Sequence, residues 1–346
     1  MNFGVTRRDA LVAAGVGLAA SAVFAMAPKG GVASPKRILP RALQDGDRIA
    51  LVCCSSAYDT PKDYDVARQL VERLRCTAEF GVHSAQVDEI FAGSDEQRVA
   101  DLHRAFADPG IKAIILIRGG YGAQRILDLI DYDLIRRNPK IVIGYSDVTA
   151  LLVAIQNLTG LVTFHGPVAS SSSSFFSETW MRHMLGDSKP VGTFAQPAGK
   201  NFELVTVRSG RGRGPLTGGN LTMLSTSLGT PYEVDTRGKL LVIEDIGEAP
   251  YRVDRMLNQL RLAGKFEQCN GIVVGQFVDC DPKNPADKFT WQRALEDQTA
   301  RLVKPVVRGF AIGHIRDKVT LPFGCVAELD GSARTLTMLE GAVAPA

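Results

Sequence analysis

The chain has 346 residues, of which 45% are hydrophobic and 22% charged, and a formal net charge of +3. This suits a globular protein long enough for two cores, and excludes a disordered or fibrous chain. Without residues 1–33, which hold Arg7, Arg8 and Lys29 against Asp9, the charge falls to +1, so no basic footprint for nucleic acid remains.

Thr6-Arg7-Arg8-Asp9-Ala10-Leu11 opens the chain's first distinct segment. An Ala/Gly/Val-rich run without a charge follows to Ala27, then a small-residue stretch to Ser34. This reads as a signal peptide with a twin-arginine start over residues 1–33. It predicts a periplasmic protein cleaved after Ala27 or Ala33, the first disfavoured by Pro28. The alternative is an anchor left uncleaved, although the apolar run is short and weakly hydrophobic for a span.

Next, Asp47 to Cys54 reads as a strand, residues 62 to 76 as an amphipathic helix and residues 95 to 107 as a second helix. Ile111 to Ile117 is a β-branched apolar run closed by Gly119-Gly120. A helix is predicted over 122 to 130, a strand over Ile141 to Ile143 and a helix over Val148 to Gln156. Short apolar strands alternating with helices predict an α/β fold with a parallel sheet covered on both faces. The active crevice of such a sheet lies beyond the carboxyl ends of its strands, where Arg118-Gly119-Gly120 and Tyr145-Ser146 fall. The N-terminal α/β domain is expected to span 34–185.

From the serine run at 170–174 through the Gly/Arg-rich Ser209 to Gly214 no periodicity persists, so 186–214 reads as a linker. A second domain is expected over 215–346, with helices at 220 to 228, 251 to 263 and 290 to 302. Its strands are expected at Lys239 to Glu244, Gly271 to Phe277, 305 to 310, 324 to 329 and 334 to 339.

Six cysteines show no C-x-x-C, and no zinc-finger spacing or H-E-x-x-H occurs, so no metal or cofactor is expected and the thiols read as buried and inert. The most informative stretch is Lys140 to Asp147, an apolar strand that stops at Gly144 and delivers Ser146 onto the first turn of a helix. A strand-to-helix elbow suits a nucleophile, and the backbone N–H of Asp147 then points where an oxyanion would form. A serine there can equally be a helix cap. A serine nucleophile needs a base and an acid that orients it, and the three need only meet in space. His165 and His314, each in a tight glycine setting, are the candidate bases. Glu244-Asp245 ends a strand and offers the acid, although capping or a salt bridge to Arg252 or Arg255 is the local alternative. Gly119-Gly120 permits close backbone approach to an oxyanion, or simply a turn.

Taken together, several blocks resemble the LD-carboxypeptidase family of serine peptidases over nearly the whole mature chain. They are Asp45-Gly-Asp-Arg-Ile-Ala-Leu-Val52; Phe91 to Arg98 with Asp101 to Ala107; Arg118-Gly-Gly-Tyr-Gly122 with Ile143-Gly-Tyr-Ser-Asp147; Gly218-Gly-Asn-Leu221 with Leu228-Gly-Thr230; Ile243 to Leu257; and Gly313-His314 with Leu321-Pro-Phe-Gly324. The resemblance implies Ser146 as nucleophile, His314 as general base and Glu244 as its orienting acid, with N–H groups near Gly120 and Asp147 as the oxyanion hole. It implies a flavodoxin- or Rossmann-like N-terminal domain, a smaller C-terminal swivelling β-structure domain with helices, and commonly a homodimer. The implied reaction releases terminal D-alanine from murein tetrapeptides without metal or cofactor. Arg118, Gly119, Tyr145 and Asn220 are expected at the substrate. Two departures stand out: Cys53-Cys54-Ser55-Ser56 replaces the usual Ala-Pro-Ser-Ser, and a leader implies export where murein-recycling members are cytoplasmic.

Overall fold

The computed structural model describes residues 35–346 except 59, 61, 200, 201 and 285, so the leader and its cleavage sites lie outside the described residues. Among the described residues no helix is long and apolar enough to cross a membrane.

The first half alternates strands and helices: β1 (Arg48–Val52), α1 (Lys62–Arg73), β2 (Thr77–Phe80), α2 (Asp95–Ala107), β3 (Ile111–Leu116), α3 (Tyr132–Arg137), β4 (Ile141–Gly144), α4 (Thr149–Thr159), β5 (Thr163–His165) and α5 (Phe175–Gly186). Strands β2-β1-β3-β4-β5 pair in parallel in that order. Each βαβ crossover lays helices on the faces of the sheet, which is why β3 and β4 are almost continuously apolar and buried. A capping box fixes the start of α2, with Ser94 accepting the Gln97 N–H and Gln97 reaching back to the Ser94 N–H. Residues 149 to 156 of α4 are all buried, so this helix behaves as a core element rather than an amphipathic surface one. The helix expected at 122–130 is a 3₁₀ helix, Ala123–Leu129, entered from Gly122 without a side-chain cap.

The second half contributes β6 (Gly192–Thr193), β7 (Val205–Arg208), β8 (Arg211–Asn220), α6 (Leu221–Thr226), β9 (Leu240–Ile246), α7 (Pro250–Leu262), α8 (Lys265–Gln268), β10 (Gly271–Val278), α9 (Trp291–Thr299), β11 (Val306–Arg308), β12 (Leu321–Phe323), β13 (Val326–Asp330) and β14 (Thr335–Met338). Its eight-stranded sheet runs β6-β14-β13-β8-β9-β10-β11-β7, parallel at its centre from β8 to β11 and antiparallel outside.

Two expectations are corrected here. The segment 186–214 is not a linker, because β6, β7 and the start of β8 all belong to the second sheet. Its Gly/Arg run alternates as a strand does, with Arg211 and Arg213 exposed and Gly212 and Gly214 buried. Glycine is required on the inner side, since a Cβ at Gly212 would lie 2.0 Å from the Asn270 carbonyl oxygen and one at Gly214 2.2 Å from that of Gly238. The boundary between the halves is also not clean. Strand β12, deep in the C-terminal half, pairs antiparallel with β5 and completes the first sheet, with Leu321 opposite His165.

One apolar core runs from the first sheet (Ile49, Ile115, Ile143, Phe164) through Leu321 and Phe323 to the inner face of the second (Leu216, Leu240, Val242, Val273). A second core lies under α2, α3 and α4, and a third under α7 and α9. Residues of β9 alternate between them: Leu240 and Val242 face the first core, Leu241 and Ile243 the third. That period of two decides which carboxylate at the end of β9 looks towards the first sheet.

Candidate active site

Strand β4 ends at Gly144, where a Cβ would come within 2.7 Å of Val148, and Tyr145 continues extended. Ser146 then adopts φ +64, one of five described non-glycine residues with positive φ. A serine held in this disfavoured region at a strand-to-helix turn is the strained elbow expected of a nucleophile. The expectation of Ser146 on a helix's first turn is met by a 3₁₀ turn, Ser146–Val148, that leads into α4. Ser146 approaches the β3 loop so closely that a Cβ on Gly119 would lie 2.9 Å from its own Cβ.

Alternation along β9 places Glu244 on the side of Leu240 and Val242, and Asp245 on the other. Glu244 is fully buried, and its Oε2 lies 2.8 Å from Nδ1 of His314. Nε2 of His314 lies 2.9 Å from Oγ of Ser146. The loop after β11 brings His314 there with Gly313 at φ +107, where any Cβ would sit 2.5 Å from Oε2 of Glu244. Glycine is therefore what lets the imidazole and the carboxylate meet. Three side chains 70 and 168 positions apart thus form one hydrogen-bonded row, with the imidazole only 12% exposed.

Burial alone would push the Glu244 carboxyl up. The hydrogen bond from His314, with the Lys318 ammonium behind it, outweighs that and holds it below its usual range. The second oxygen, Oε1, has no hydrogen-bond partner among the described residues, so the carboxylate's bonding is spent on His314. Tyr145 packs on the His314 ring at 4.8 Å, and the Lys318 ammonium lies 3.9 Å from the centroid of Tyr145.

A cavity of about 310 Å³ opens at this row, lined among others by Arg118, Gly119, Gly120, Tyr145, Ser146 and His314. Asp63, Ser170 and Ser171 also line it, although no motif in the sequence singles out Asp63 and the serine run carries no periodicity. Gly120 has φ +106, and a Cβ there would strike the Ser56 hydroxyl at 2.4 Å. Arg118 donates to the Ala57 carbonyl at 2.7 Å, which ties its guanidinium to the turn after β1.

Two expected residues stand elsewhere. Asn220 does not line the cavity: it caps α6 by accepting the Met223 N–H, and its amide donates to Asp245 at 2.8 Å. The Gly218-Gly219-Asn220 run serves this docking, since a Cβ on Gly219 would collide with Thr149 at 2.6 Å. His165 does not join the row either. It is buried on β5, stacked on Phe323 at 5.5 Å, and both ring nitrogens lack a partner among the described residues. Burial pushes its pKa down to about 4, which keeps the ring neutral. Asp245, the other acid at the end of β9, is spent on Asn220, Thr222 and the Ile246 N–H; burial, helped by the Glu244 charge, raises it to about 6.

Among the described residues no group of three or more His, Cys, Asp or Glu side chains is arranged to hold a metal. All six cysteines are free and buried, and burial raises each thiol, Cys53 to about 12. Such thiols are poor nucleophiles.

Models of the LD-carboxypeptidase N-terminal and C-terminal domains match residues 49–166 and 213–329. A probable murein peptide carboxypeptidase of Bacillus subtilis is 38% identical over 87% of this chain and 94% of its own length. The murein tetrapeptide carboxypeptidase of Pseudomonas aeruginosa is 33% identical over 82% and 94%. Among solved structures, the microcin C7 self-immunity protein MccF, a protein of Escherichia coli, superposes with a TM-score of 0.81 at 26% identity, covering 89% of this chain and all of MccF. The chain belongs to the LD-carboxypeptidase family and is a serine-type carboxypeptidase.

Proposed function

We propose that the protein removes the terminal D-alanine from murein tetrapeptides by acyl transfer through Ser146. The row Ser146–His314–Glu244, with contacts of 2.9 and 2.8 Å, carries this reading, and two relatives named for murein peptides support the substrate class. The Ser146 oxygen attacks the carbonyl carbon of the L,D bond while Nε2 of His314 takes its proton. Glu244 holds Nδ1–H and stabilises the imidazolium. The carbonyl oxygen gains charge and is received by the backbone N–H groups of Gly120 and Asp147. As the C–N bond breaks, His314 returns the proton to the leaving amine and D-alanine departs. Water, deprotonated by the same imidazole, then cleaves the ester and restores Ser146.

The leaving residue carries a carboxylate, and Arg118 on the cavity wall supplies the matching cation. Glycines 119 and 120 keep that wall low beside the serine, and Tyr145 adds an aromatic face to the lining. The twin-arginine leader favours a periplasmic enzyme facing the intact sacculus, with polymer stems as substrate. Cytosolic enzyme with its leader intact would sink that part.

The likeness to MccF supports a second reading, a peptidase of the same triad acting on a peptidyl-nucleotide antibiotic. Incubating the pure protein with disaccharide tetrapeptide and weighing the product separates them. Loss of one alanine mass supports the first reading. An unchanged tetrapeptide beside a cleaved peptidyl nucleotide supports the second, and binding without any mass change would leave only a muropeptide-binding protein.

A further inference from the structure

The loop Gly119–Ala123, which carries the Gly120 N–H, has little of its own to hold its shape. Three of its five residues are glycine, and Gly120 and Gly122 stand at φ +106 and +126. Such a loop is costly to order and relies on its surroundings. The surroundings are specific. Oδ2 of Asp147 accepts the Ala123 N–H at 2.8 Å and the Ser55 hydroxyl at 2.6 Å. Nη1 of Arg98 donates to the Gly122 carbonyl at 3.0 Å and to that of Cys54 at 2.7 Å, while Nη2 pairs with Asp95. Ser56 Oγ accepts the Tyr121 N–H at 3.0 Å.

Asp147, Arg98 and Ser55 are 3%, 1% and 0% exposed, and none of the three lines the cavity. A buried carboxylate and a buried guanidinium are each expensive to take from water, and here their bonds go mainly to backbone at two loops. Those loops, Cys53–Ser56 and Gly119–Ala123, meet at the residue that follows the nucleophile. The fit is steric as well, since a Cβ on Gly122 would lie 2.9 Å from both Arg98 and Phe91.

We propose that the side chains of Asp147, Arg98 and Ser55 are positioning residues that hold the Gly119–Ala123 loop, so that the Gly120 N–H is aimed at the carbonyl oxygen as it becomes an oxyanion. This rests on the reading of Ser146 as nucleophile and Gly120 as donor. Donors fixed before the reaction stabilise developing charge without reorganising, whereas a loop free to sample other torsions aims its N–H only part of the time. The loss therefore appears in the chemical step and not in substrate binding. Burial raises the Asp147 carboxyl, although Ser55 and the Ala123 and Gly122 N–H groups oppose this, so its loop contacts are made at the expense of its solvation.

The test compares Asp147→Asn and Ser55→Ala with wild type on disaccharide tetrapeptide, with thermal unfolding as a folding control. Ser55→Ala removes one hydrogen bond and no charge, and serves where Asp147→Asn fails to fold. Expected is a fall in kcat of about tenfold or more for Ser55→Ala, and up to about a hundredfold for Asp147→Asn, with KM within about threefold. Calorimetric binding of the tetrapeptide should be equal for Ser146→Ala and Ser146→Ala/Ser55→Ala. An unchanged kcat in Ser55→Ala, or a loss confined to KM and binding, overturns the proposal. A fluorophosphonate gives a second readout, since its phosphoryl oxygen needs the same donors. Slower labelling of Ser146 in Ser55→Ala supports the proposal, and an equal rate overturns it alone. Failure of the wild type to label at Ser146 overturns the nucleophile reading beneath it.

Discussion

Replacing Glu244 by Gln keeps the shape of the side chain and removes its charge. In the resting row Oε2 accepts the Nδ1–H of His314 at 2.8 Å, and in the proposed reaction it faces an imidazolium. Two unit charges about 4 Å apart at an effective dielectric constant of about 20 attract by about 4 kcal/mol. Losing that attraction only when the imidazole is charged slows the chemical step by about a thousandfold. Serine proteases in which the triad aspartate becomes asparagine lose about ten-thousandfold, part of it through the wrong tautomer, so the expected range for Glu244→Gln is about 10³ to 10⁴. Initial rates of D-alanine release from disaccharide tetrapeptide measure it, with circular dichroism and thermal unfolding to show that the fold is kept. KM should change little, since Glu244 is buried behind the imidazole and does not line the cavity. A kcat within about tenfold of wild type, in folded protein, would refute the role given to this carboxylate.

Asn220→Ala should destabilise the protein by about 1–3 kcal/mol in urea unfolding, through the lost cap of α6 and an Asp245 short of one donor, while KM stays within about threefold. A larger rise in KM would return Asn220 to the substrate. Gly119→Ala places a methyl 2.9 Å from the Ser146 Cβ and should lower kcat by about a hundredfold or more; full activity would mean the loop and the elbow are not in tight contact. His165, with a folded pKa of about 4 against an ordinary 6.5, binds fewer protons in the folded than in the unfolded chain between those values. The stability it permits is therefore complete above pH 6.5 and is lost as pH falls towards 4, on the order of 3 kcal/mol in all. Urea unfolding of His165→Phe between about pH 4 and 7 should show a flatter slope than wild type, and parallel curves would contradict this.

Much of the site is legible in the chain because its parts sit at the ends of strongly apolar strands. Ile141–Ile143 announces β4, and the residues just beyond it must emerge where a parallel sheet presents its crevice. Glu244 and Asp245 stay ambiguous as long as only their position at a strand end is known. The alternation of Leu240 to Ile243 between two cores, which depends on what packs on each face, resolves them. His314 and His165 cannot be ranked locally, since both lie beside glycines; only the tertiary fold brings one to Ser146 and buries the other against Phe323. The Gly/Arg stretch at the start of β8 reads as a linker because its inward positions are glycines, which carry no hydrophobic signal even though backbone crowding demands them. Likewise β12 is three residues long and contains Pro322, and its place in the first sheet comes from pairing with β5, far back in the chain. Asn220 is expected at the substrate as part of the Gly218-Gly-Asn-Leu221 block, yet the start of α6 claims it.

The central claim is that Ser146 is the nucleophile and that His314, held by Glu244, activates it. Treating the protein with a fluorophosphonate and locating the adduct by peptide mass spectrometry tests this most directly, with wild type, Ser146→Ala and His314→Ala run in parallel. The account predicts one stoichiometric adduct on Ser146 that abolishes tetrapeptide cleavage, no adduct in Ser146→Ala, and labelling slowed by orders of magnitude in His314→Ala. An adduct on another residue, or a Ser146→Ala enzyme that still releases D-alanine at the wild-type rate, would contradict it.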